Sequence, residues 1–327
     1  MTSKTITMPQ VQLGQNGPMI GVQGLGCMGM SEFYGETDEA ESRATLERAL
    51  ELGVTMYDTA DMYGVGANEE FLAPFIAAHR DQIVIATKFG YTRTPETPDD
   101  WSLDNRPEFI RAAVDRSLKR LGVDAIDLYY MHRRDGATPL EESVGAMADL
   151  VTAGKVKWLG LSAVSPEDLR IAHAIHPIAA LQSEWSIFTR DIEKDVVATA
   201  AELGVTIVPY SPLGRGMLTG QAFAASLTGD DARQYFPRFS VDNRVANMRL
   251  VARIEEIASA KGVTSAQLAL AWLYAKSETL NVKAVPIPGT RKRTRLEENA
   301  AAVSITLTAE ETQMLEPFAA AVQGVAV

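Results

Sequence analysis

The regular alternation of short β-branched runs with segments of helical spacing constrains the fold of this chain more than any other feature. Seven such runs recur, at positions 54–57, 83–87, 126–131, 156–161, 180–183, 206–210 and 282–287, and the glycine-rich segment 21–26 supplies an eighth. Strands that alternate with helices predict βαβ units, whose strands lie parallel in one sheet. The predicted fold class is therefore α/β.

The helical segments between these runs end in a recurring way. The tripeptide Leu-Gly-Val occurs at 52–54, 121–123 and 203–205, and each glycine is expected to end a helix just before a strand. In segment 191–204, Asp191 is the expected N-cap and Gly204 the expected C′ residue. The apolar residues of this segment fall on one helix face: Ile192, Val196, Val197, Ala200 and Leu203.

Two architectures contain such a parallel sheet, the closed (β/α)8 barrel and the open doubly wound sheet. Segment 24–29 fits the dinucleotide-binding pattern G-x-G-x-x-G of the open sheet. That pattern needs a helix directly after it, whereas residues 31–35 have the composition of a loop and helix signals begin at Asp38. The acidic residue that should follow about twenty positions later is also missing in the required context. We therefore predict a (β/α)8 TIM barrel, in one domain that spans residues 1–327.

Several segments lie outside the eight predicted units. Residues 5–13 and the residues from Met19 onward flank the turn sequence Gly-Gln-Asn-Gly at 14–17, which predicts an N-terminal β-hairpin across the bottom of the barrel. Residues 308–321 predict an extra C-terminal helix. The long loops 91–106 and 212–244 both follow strands, so we expect them at the carboxyl-terminal face, where barrel enzymes build their active sites.

The charge balance and the cysteine content exclude several classes of protein. The chain has 31 basic and 42 acidic residues, a net charge of −11, which argues against a general nucleic-acid binder. Cys27 is the single cysteine, so neither an intrachain disulfide nor a cysteine-based zinc site can form. The first ten residues lack the apolar core of a signal peptide, and no run of eighteen apolar residues occurs. We therefore expect a cytoplasmic protein with no membrane and no nucleic-acid partner.

Four polar residues stand at the ends of consecutive predicted strands. Asp58 closes the run at 54–57 and Tyr63 follows five residues later. Lys88 closes the next run, and His132 closes the one after it. Strand ends of a barrel lie side by side around one rim, so an acid, a phenol, an amine and an imidazole are expected to meet there. Each residue alone is more often structural than functional, and it is their coincidence that favours a site.

These residues and their neighbours carry a resemblance to a known family. The spacing of Asp58 and Tyr63, the pair Asn68-Glu69 just beyond, and the stretch Leu-Gly-Cys-Met-Gly-Met-Ser at 25–31 are together typical of the aldo-keto reductases. The chain resembles this family over essentially its full length, and most resembles the bacterial and plant subgroup that carries the early stretch. The resemblance implies an oxidoreductase that reduces a small aldehyde or ketone to an alcohol, with NADPH as its cofactor.

The resemblance also implies a role for each residue of the family tetrad. Tyr63 is the general acid that gives a proton to the substrate oxygen, and Lys88 lowers the pKa of its phenol, which is about 10 in a free tyrosine. Asp58 holds Lys88 in place and keeps it charged. His132 orients the carbonyl oxygen and polarises it. No metal is expected.

A basic stretch after the last predicted strand supplies the second part of the resemblance. Four basic residues among positions 291–295 would ordinarily indicate a solvated helix start, but a loop between the last barrel strand and a helix is also a standard phosphate site. The family implies that Arg295 binds the 2′-phosphate of NADPH. Gly289 stands where many relatives have lysine, which Arg291 and Arg293 are expected to offset. The other implied contacts are Thr290 to a phosphate, and Glu298 and Asn299 to the adenine.

The nicotinamide end of the cofactor is implied to lie at other strand ends. Ser162 and Gln182 match the residues that hold the carboxamide, although Ala163 replaces the asparagine that often follows the serine. Tyr210 matches the aromatic ring that stacks on the nicotinamide. The next segment forms either a plain tight turn or a set of backbone donors to the pyrophosphate: Ser211, Pro212, Leu213, Gly214, Arg215 and Gly216.

Two other functions remain open, a nucleotide-binding regulatory subunit of a membrane partner and an unrelated barrel hydrolase or isomerase. The intact tetrad argues against the first, and the second predicts no nicotinamide binding. The sequence does not name the substrate. Aromatic residues expected along the pocket suggest an apolar or aromatic aldehyde or ketone: Phe33, Tyr34, Tyr91 and Trp101.

Overall fold

Parallel strands in chain order form the centre of the molecule. The computed structural model of the chain describes residues 8–220, 227, 229 and 231–325. An N-terminal pair of strands, β1 (Gln10–Gln12) and β2 (Met19–Gly21), is antiparallel. The main sheet is parallel, and each strand pairs with the next along the chain: β3 (Leu25–Gly26), β4 (Met56–Asp58), β5 (Val84–Phe89), β6 (Ile126–Met131), β7 (Val156–Ser162), β8 (Ile178–Glu184) and β9 (Thr206–Tyr210).

Segment 282–289 closes this sheet into a barrel. On one side, the Val285 amide donates a hydrogen bond of 2.9 Å to the carbonyl oxygen of Ile207 in β9. On the other side, the Gly24 amide donates to the carbonyl oxygen of Pro286 at 3.0 Å, one residue before β3. The segment therefore occupies the eighth strand position, with hydrogen bonds to both neighbours. The predicted closed barrel is confirmed, and the open doubly wound sheet is excluded.

The N-terminal hairpin packs against the amino-terminal end of the barrel. Leu13 and Ile20 are fully buried in the same apolar cluster as the barrel interior. The Gly14 amide donates to the hydroxyl of Thr206 at 2.8 Å, and the ammonium of Lys283 donates to the Gly14 carbonyl oxygen at 2.7 Å. The predicted hairpin across the bottom of the barrel is thus present, although its residues 5–7 lie outside the described residues.

The helices form the outer layer. They are α1 (Glu39–Glu51), α2 (Ala67–His79), α3 (Pro107–Leu121), α4 (Leu140–Thr152), α5 (Pro166–Ile175), α6 (Val196–Glu202), α7 (Val241–Lys261), α8 (Ser265–Thr279), α9 (Arg293–Ala301), α10 (Ala309–Leu315) and α11 (Phe318–Ala321). As predicted, α1 begins after Asp38, whose carboxylate accepts a hydrogen bond from the Glu41 amide at 3.1 Å. None of the helices in the described part of the chain combines the length and the apolar composition that a membrane crossing requires.

Helix ends follow the predicted glycines. Gly53, Gly122 and Gly204 have φ angles of 84°, 67° and 65°, the left-handed conformation that ends a helix and that glycine adopts without steric cost. The start of α6 was not predicted correctly. The carboxylate of Asp191 pairs with Lys194 at 2.8 Å instead of capping amides, so residues 191–194 form a separate 3-10 turn before α6.

The C-terminal helix also differs from the prediction. Residues 308–321 form two short helices, α10 and α11, instead of one. Pro317 lies between them, and it has no amide hydrogen to donate to the preceding helical turn. The extra C-terminal helical segment is therefore present but interrupted.

The buried apolar side chains form two layers below the polar end of the barrel. One layer lies between the sheet and the helices and contains most of the buried apolar side chains. The other fills the barrel interior with Met56, Val84, Leu128, Val208 and Val285. Above this inner layer, the strands end in the polar side chains that were predicted to form a site. The barrel thus holds these polar side chains above its packed apolar interior.

Candidate active site

Lys88 is the centre of the polar group at the barrel rim. Its side chain, near the end of β5, is fully buried. The ammonium donates to Asp58 Oδ1 at 2.5 Å, to the carbonyl oxygen of Thr59 at 2.7 Å and to the Tyr63 hydroxyl at 3.3 Å. An ammonium has three hydrogens, so every donor of Lys88 has a partner. Three of the four predicted tetrad residues are therefore in direct contact.

Asp58, at the end of β4, links this group to the opposite side of the barrel. Its Oδ1 accepts from Lys88, and its Oδ2 accepts from the Gln182 amide nitrogen in β8 at 2.7 Å. The side chain is almost fully buried. Gln182, which was predicted to hold a carboxamide, thus has its nitrogen committed to Asp58 and its oxygen left as the acceptor.

The loop after β4 places Tyr63 over Lys88. The amide of Thr59 donates to the Ala86 carbonyl oxygen at 2.8 Å, and the amide of Asp61 donates to the Lys88 carbonyl oxygen at 3.2 Å. The loop therefore runs alongside β5. Tyr63 then opens a 3-10 turn whose next three residues all have left-handed backbone conformations. Gly64 and Gly66 adopt this conformation without steric cost, but Val65 is β-branched and is strained there, and such strain is concentrated at functional sites.

The pair Asn68-Glu69 braces the site from outside the barrel. The Asn68 amide nitrogen donates to the carbonyl oxygen of Cys27 at 2.9 Å, and its oxygen accepts from the Thr59 hydroxyl at 2.6 Å. Glu69 accepts from the Thr87 hydroxyl at 2.6 Å and pairs with a guanidinium from α3. Sequence reasoning used this pair as a family marker, and the structure gives it a mechanical role: it ties the first three strand ends together.

His132 lies on the other side of Tyr63. The His132 amide continues β6 by donating to the Phe89 carbonyl oxygen at 2.8 Å. The imidazole meets the Tyr63 ring edge to face, with centroids 6.1 Å apart, and its Nδ1 has no hydrogen-bond partner. Burial, with the positive charges of Lys88 and Arg133, holds the pKa of His132 well below its usual range. The imidazole is therefore neutral at pH 7.

Burial also governs the pKa values of the other three tetrad residues. Burial alone would lower the pKa of Lys88, but the neighbouring Asp58 and Tyr63 outweigh it, so the pKa of Lys88 is raised and the amine stays charged. Burial raises the pKa of Asp58, and Lys88 opposes the rise. The pKa of Tyr63 is raised as well, because burial outweighs the attraction of Lys88. The expectation that Lys88 brings the phenol below its ordinary pKa is therefore not met, since Lys88 only limits the increase.

An aromatic wall extends from His132 towards solvent. The ring of Tyr91 meets His132 with centroids 5.1 Å apart and meets Trp101 at 6.0 Å. Trp101 in turn lies 6.2 Å from Phe33, and the guanidinium of Arg93 stacks on its indole at 4.3 Å. Because Trp101 is 48% exposed, its ring has a free surface for a ligand. Three of the four predicted pocket residues thus form one wall.

Tyr34, the fourth predicted pocket residue, lies elsewhere. Its carbonyl oxygen accepts from Arg291 at 2.9 Å, and its ring lies 5.5 Å from the guanidinium of Arg233. It is therefore part of the loop that connects to the end of the barrel, and not of the aromatic wall.

Arg133 joins two of the predicted nicotinamide contacts, and sequence reasoning missed it. Its Nη1 donates to the Ser162 hydroxyl at 2.8 Å and to the carbonyl oxygen of His132 at 2.7 Å. Its Nη2 donates to the Tyr210 hydroxyl at 3.3 Å. The available signal was its position, directly after a candidate catalytic residue at a strand end.

Some, but not all, of the predicted backbone donors in the loop after Tyr210 are available. Ser211, Gly214, Arg215 and Gly216 all have left-handed φ angles. Two of the predicted donors are used within the loop, because the amides of Gly214 and Gly216 donate to the carbonyl oxygens of Ser211 and Leu213. Pro212 has no amide hydrogen. The amides of Ser211, Leu213 and Arg215 therefore remain as candidates for a pyrophosphate contact.

The basic residues of the last loop are not equally free. Arg291 donates to the carbonyl oxygens of Gly29, Tyr34 and Gly35 and to the Thr37 hydroxyl, at 2.9–3.1 Å. Arg293 pairs with Glu41 at 2.8 Å. Both are therefore committed to the protein, contrary to the expectation that they are available to offset Gly289.

Arg295 differs from these two arginines. It is exposed at the start of α9 and, within the described part of the chain, makes no hydrogen bond or ion pair. Thr290 accepts a hydrogen bond from the Lys292 amide at 3.1 Å, and Gly289 bridges to Gly26 at the barrel closure. Glu298 and Asn299 follow on α9, where Asn299 is buried. The structure thus leaves Arg295 as the free guanidinium of this loop.

The fold and this rim define a barrel enzyme with a buried acid–base group. The chain belongs to the aldo/keto reductase family, a family of oxidoreductases, whose model matches residues 24–320. It is 44% identical over 290 residues to the protein named aldo-keto reductase yakc [NADP(+)] of Schizosaccharomyces pombe, covering 87% of this chain and 84% of that one. It is 42% identical over 303 residues to probable aldo-keto reductase 1 of Glycine max, covering 92% and 86%.

Solved structures of the same family have the same fold. The glycerol dehydrogenase AKR11B4 from Gluconobacter oxydans superposes with a TM-score of 0.83 at 28% identity, covering 98% of this chain and 97% of that one. The aldo-keto reductase AKR11C1 from Bacillus halodurans, in its holo form, superposes with a TM-score of 0.77 at 27% identity, with the same coverage. The family that the sequence motifs indicated is therefore confirmed.

Proposed function

We propose that this protein reduces an aldehyde or ketone to an alcohol with NADPH as the hydride donor, and that Tyr63 is the general acid. The observation that carries the proposal is the contact of a charged, fully buried Lys88 with both Asp58 and the Tyr63 hydroxyl. The relative from Schizosaccharomyces pombe, whose name specifies NADP(+), supports the choice of cofactor.

The side chains at the barrel rim fit a nicotinamide cofactor. Ser162, Gln182 and Tyr210 end three neighbouring strands, and Gln182 keeps an amide oxygen free to accept from a carboxamide. The loop after Tyr210 offers backbone amides, and α9, which follows the strand position paired with β9, carries the unpaired Arg295. When bound in this way, NADPH supplies a hydride to the carbonyl carbon of the substrate.

Tyr63 provides the proton that the reduced carbonyl oxygen needs. Its ring lies beside His132 and its hydroxyl is bonded to Lys88, so loss of the phenolic proton leaves a phenolate next to an ammonium. In a buried site that attraction is strong, because there is little water to screen it. Asp58 and the carbonyl oxygen of Thr59 hold the ammonium in place.

His132 acts as a neutral hydrogen-bond donor. Its lowered pKa keeps the imidazole uncharged, so it polarises a carbonyl oxygen without competing with Tyr63 as a proton source. The aromatic wall of Tyr91, Trp101 and Phe33 begins at this imidazole. It favours a substrate whose carbonyl group is attached to an apolar or aromatic body.

The remaining cofactor contacts come from the loop after Tyr210, the last loop and α9. Ser211, Leu213 and Arg215 offer amides to the pyrophosphate, and Thr290 offers its hydroxyl. Arg295 binds the 2′-phosphate, because it is the exposed guanidinium of the last loop that no described acid neutralises. Arg291 contributes by holding the loop at 29–37 in place, and Glu298 with Asn299 recognises the adenine.

A panel of aromatic and aliphatic aldehydes and ketones, assayed with NADPH and with NADH, tests the proposal. We expect NADPH oxidation that depends on the carbonyl compound, with the corresponding alcohol as product. Binding of NADPH without turnover of any carbonyl compound would favour the regulatory subunit. Absence of NADPH binding, measured by quenching of intrinsic fluorescence, would contradict the proposed cofactor and the proposed reaction with it.

A further inference from the structure

Arg133 carries a charge that the protein does not neutralise. Its neighbour Arg134 forms an ion pair with Asp168 at 2.6 Å, but Arg133 has no acidic partner among the described residues. It is half-buried at the end of β6. Hydrogen bonds to neutral oxygens offset part of the cost of burying this guanidinium, and they leave its positive charge available to a ligand.

The position of the guanidinium is defined by the residues it contacts. It bridges the hydroxyls of Ser162 and Tyr210, which end β7 and β9 on either side of Gln182 in β8. Its central carbon lies 5.8 Å from the centroid of the Tyr210 ring. The guanidinium thus lies over the hydroxyl end of the Tyr210 ring, so a flat ring stacked on the same face meets Arg133 on the side of Ser162.

Arg133 retains donors for a ligand. A guanidinium has five N–H groups, and the three hydrogen bonds to His132, Ser162 and Tyr210 leave one on Nη2 and one on Nε. The adjacent residue on the next strand end, Ala163, has no donor in its side chain. Arg133 is therefore the donor best placed to replace one that the strand end lacks.

We infer that Arg133 binds the nicotinamide itself, by donating a hydrogen bond to the carboxamide oxygen. This inference rests on the proposed function. The charge of Arg133 has a second consequence, because the nicotinamide ring is positive in NADP⁺ and neutral in NADPH. Like charges repel, and the more so in a partly buried site, so Arg133 favours the reduced cofactor over the oxidised one.

The test compares Arg133→Leu with the matched control Arg134→Leu by isothermal titration calorimetry. Three ligands are titrated: NADPH, NADP⁺ and 2′-phospho-ADP-ribose, which lacks the nicotinamide. For Arg133→Leu we expect the Kd of NADPH to rise at least about tenfold, the size of one lost charge-assisted hydrogen bond. The Kd of NADP⁺ should rise clearly less, because loss of repulsion offsets the lost bond, and that of 2′-phospho-ADP-ribose should not change. Arg134→Leu should bind all three like the wild type.

Other results would overturn the inference. An equal loss of affinity for all three ligands would mean that Arg133 only braces the strand ends. Unchanged or tighter NADPH binding would mean that it makes no favourable contact with the cofactor. A higher KM for 2-carboxybenzaldehyde but not for benzaldehyde, with the cofactor Kd values unchanged, would assign Arg133 to a substrate anion instead. A wild-type chain that binds neither NADPH nor 2′-phospho-ADP-ribose would contradict the proposed function itself, and this inference with it.

Discussion

Among single residues, Arg295 is the one on which the choice of cofactor depends. Arg291 and Arg293 are committed to the loop at 29–37 and to Glu41, so Arg295 is the arginine of this stretch that stays unpaired, alongside the exposed Lys292. One or two charge-assisted contacts to the 2′-phosphate, each worth about 1.5–3 kcal/mol, predict a preference for NADPH over NADH of roughly ten- to hundredfold in Kd.

Arg295→Ala should weaken NADPH binding by at least about tenfold and leave NADH binding nearly unchanged. Rising salt should weaken the wild-type preference, because the contact is exposed and electrostatic. Arg293→Ala serves as the control, since its guanidinium is paired with Glu41. The measurement is the Kd of each cofactor by fluorescence titration. An equal loss for both cofactors would show that Arg295 supports the loop and does not recognise the 2′-phosphate.

Ala163 has a conformation that its side chain disfavours. Its φ angle is 51°, a left-handed value that costs an L-residue about 1–2 kcal/mol and that asparagine and glycine tolerate better. The residue is exposed, so a longer side chain has room. Ala163→Gly and Ala163→Asn should both raise the free energy of unfolding, by about 0.5–1 kcal/mol in urea denaturation. Asparagine alone adds a donor, and should alone tighten NADPH binding. If neither variant is more stable than the wild type, the backbone strain assigned to Ala163 is not present.

Among the structural elements, the loop at 29–37 depends on one side chain from the far end of the chain. Arg291 donates to Gly29, Tyr34, Gly35 and Thr37 of this loop. Arg291→Ala removes these contacts, so amide hydrogen exchange should become faster at 30–32 while the barrel strands keep their protection. Arg293→Ala should leave the loop unchanged. Unchanged exchange at 30–32 in Arg291→Ala would show that the loop holds its conformation without this arginine.

The elements also show how far the sequence could predict the structure. Strand positions and helix ends depend on local sequence: β-branched runs indicate the strands, and Gly53, Gly122 and Gly204 indicate where helices end. Both features were predicted correctly. The family motif placed Asp58 beside Lys88 for the same reason, because each residue ends a strand. The partners of Arg291 and Arg293 could not be predicted, since those partners lie more than 250 positions away in the sequence. Only the folded barrel brings such positions together.

The stability of the whole molecule should depend on pH through Asp61. The Oδ1 of Asp61 is inaccessible to solvent and has no hydrogen-bond partner. Burial, and to a lesser extent the negative charge of Glu69, raises the pKa of Asp61 to about 8. In the unfolded chain the pKa is about 3.9. The folded state therefore binds this proton more tightly. The contribution of Asp61 to stability is fully present below about pH 4 and is lost as the pH rises towards 8.

Asp61→Asn replaces the carboxyl with a neutral group of the same shape, so it should gain stability relative to the wild type as the pH rises. The measurement is urea denaturation of both proteins at pH 5.5 and 8.5. We expect the difference in the free energy of unfolding between variant and wild type to shift in favour of the variant at the higher pH. The same difference at both values would mean that Asp61 is already ionised in the folded protein at pH 5.5.

The proposed reaction depends on Tyr63 as the proton donor in an NADPH-dependent reduction. The most direct test is the single-turnover rate of NADPH oxidation on mixing Tyr63→Phe with a saturating aldehyde, with the exposed Tyr235→Phe as control. We predict that Tyr63→Phe loses about 100-fold or more of this rate and keeps the wild-type Kd for NADPH, because the phenol acts on the substrate oxygen. Tyr235→Phe should match the wild type in both. A Tyr63→Phe enzyme that keeps a tenth or more of the wild-type rate would contradict the proposed reaction.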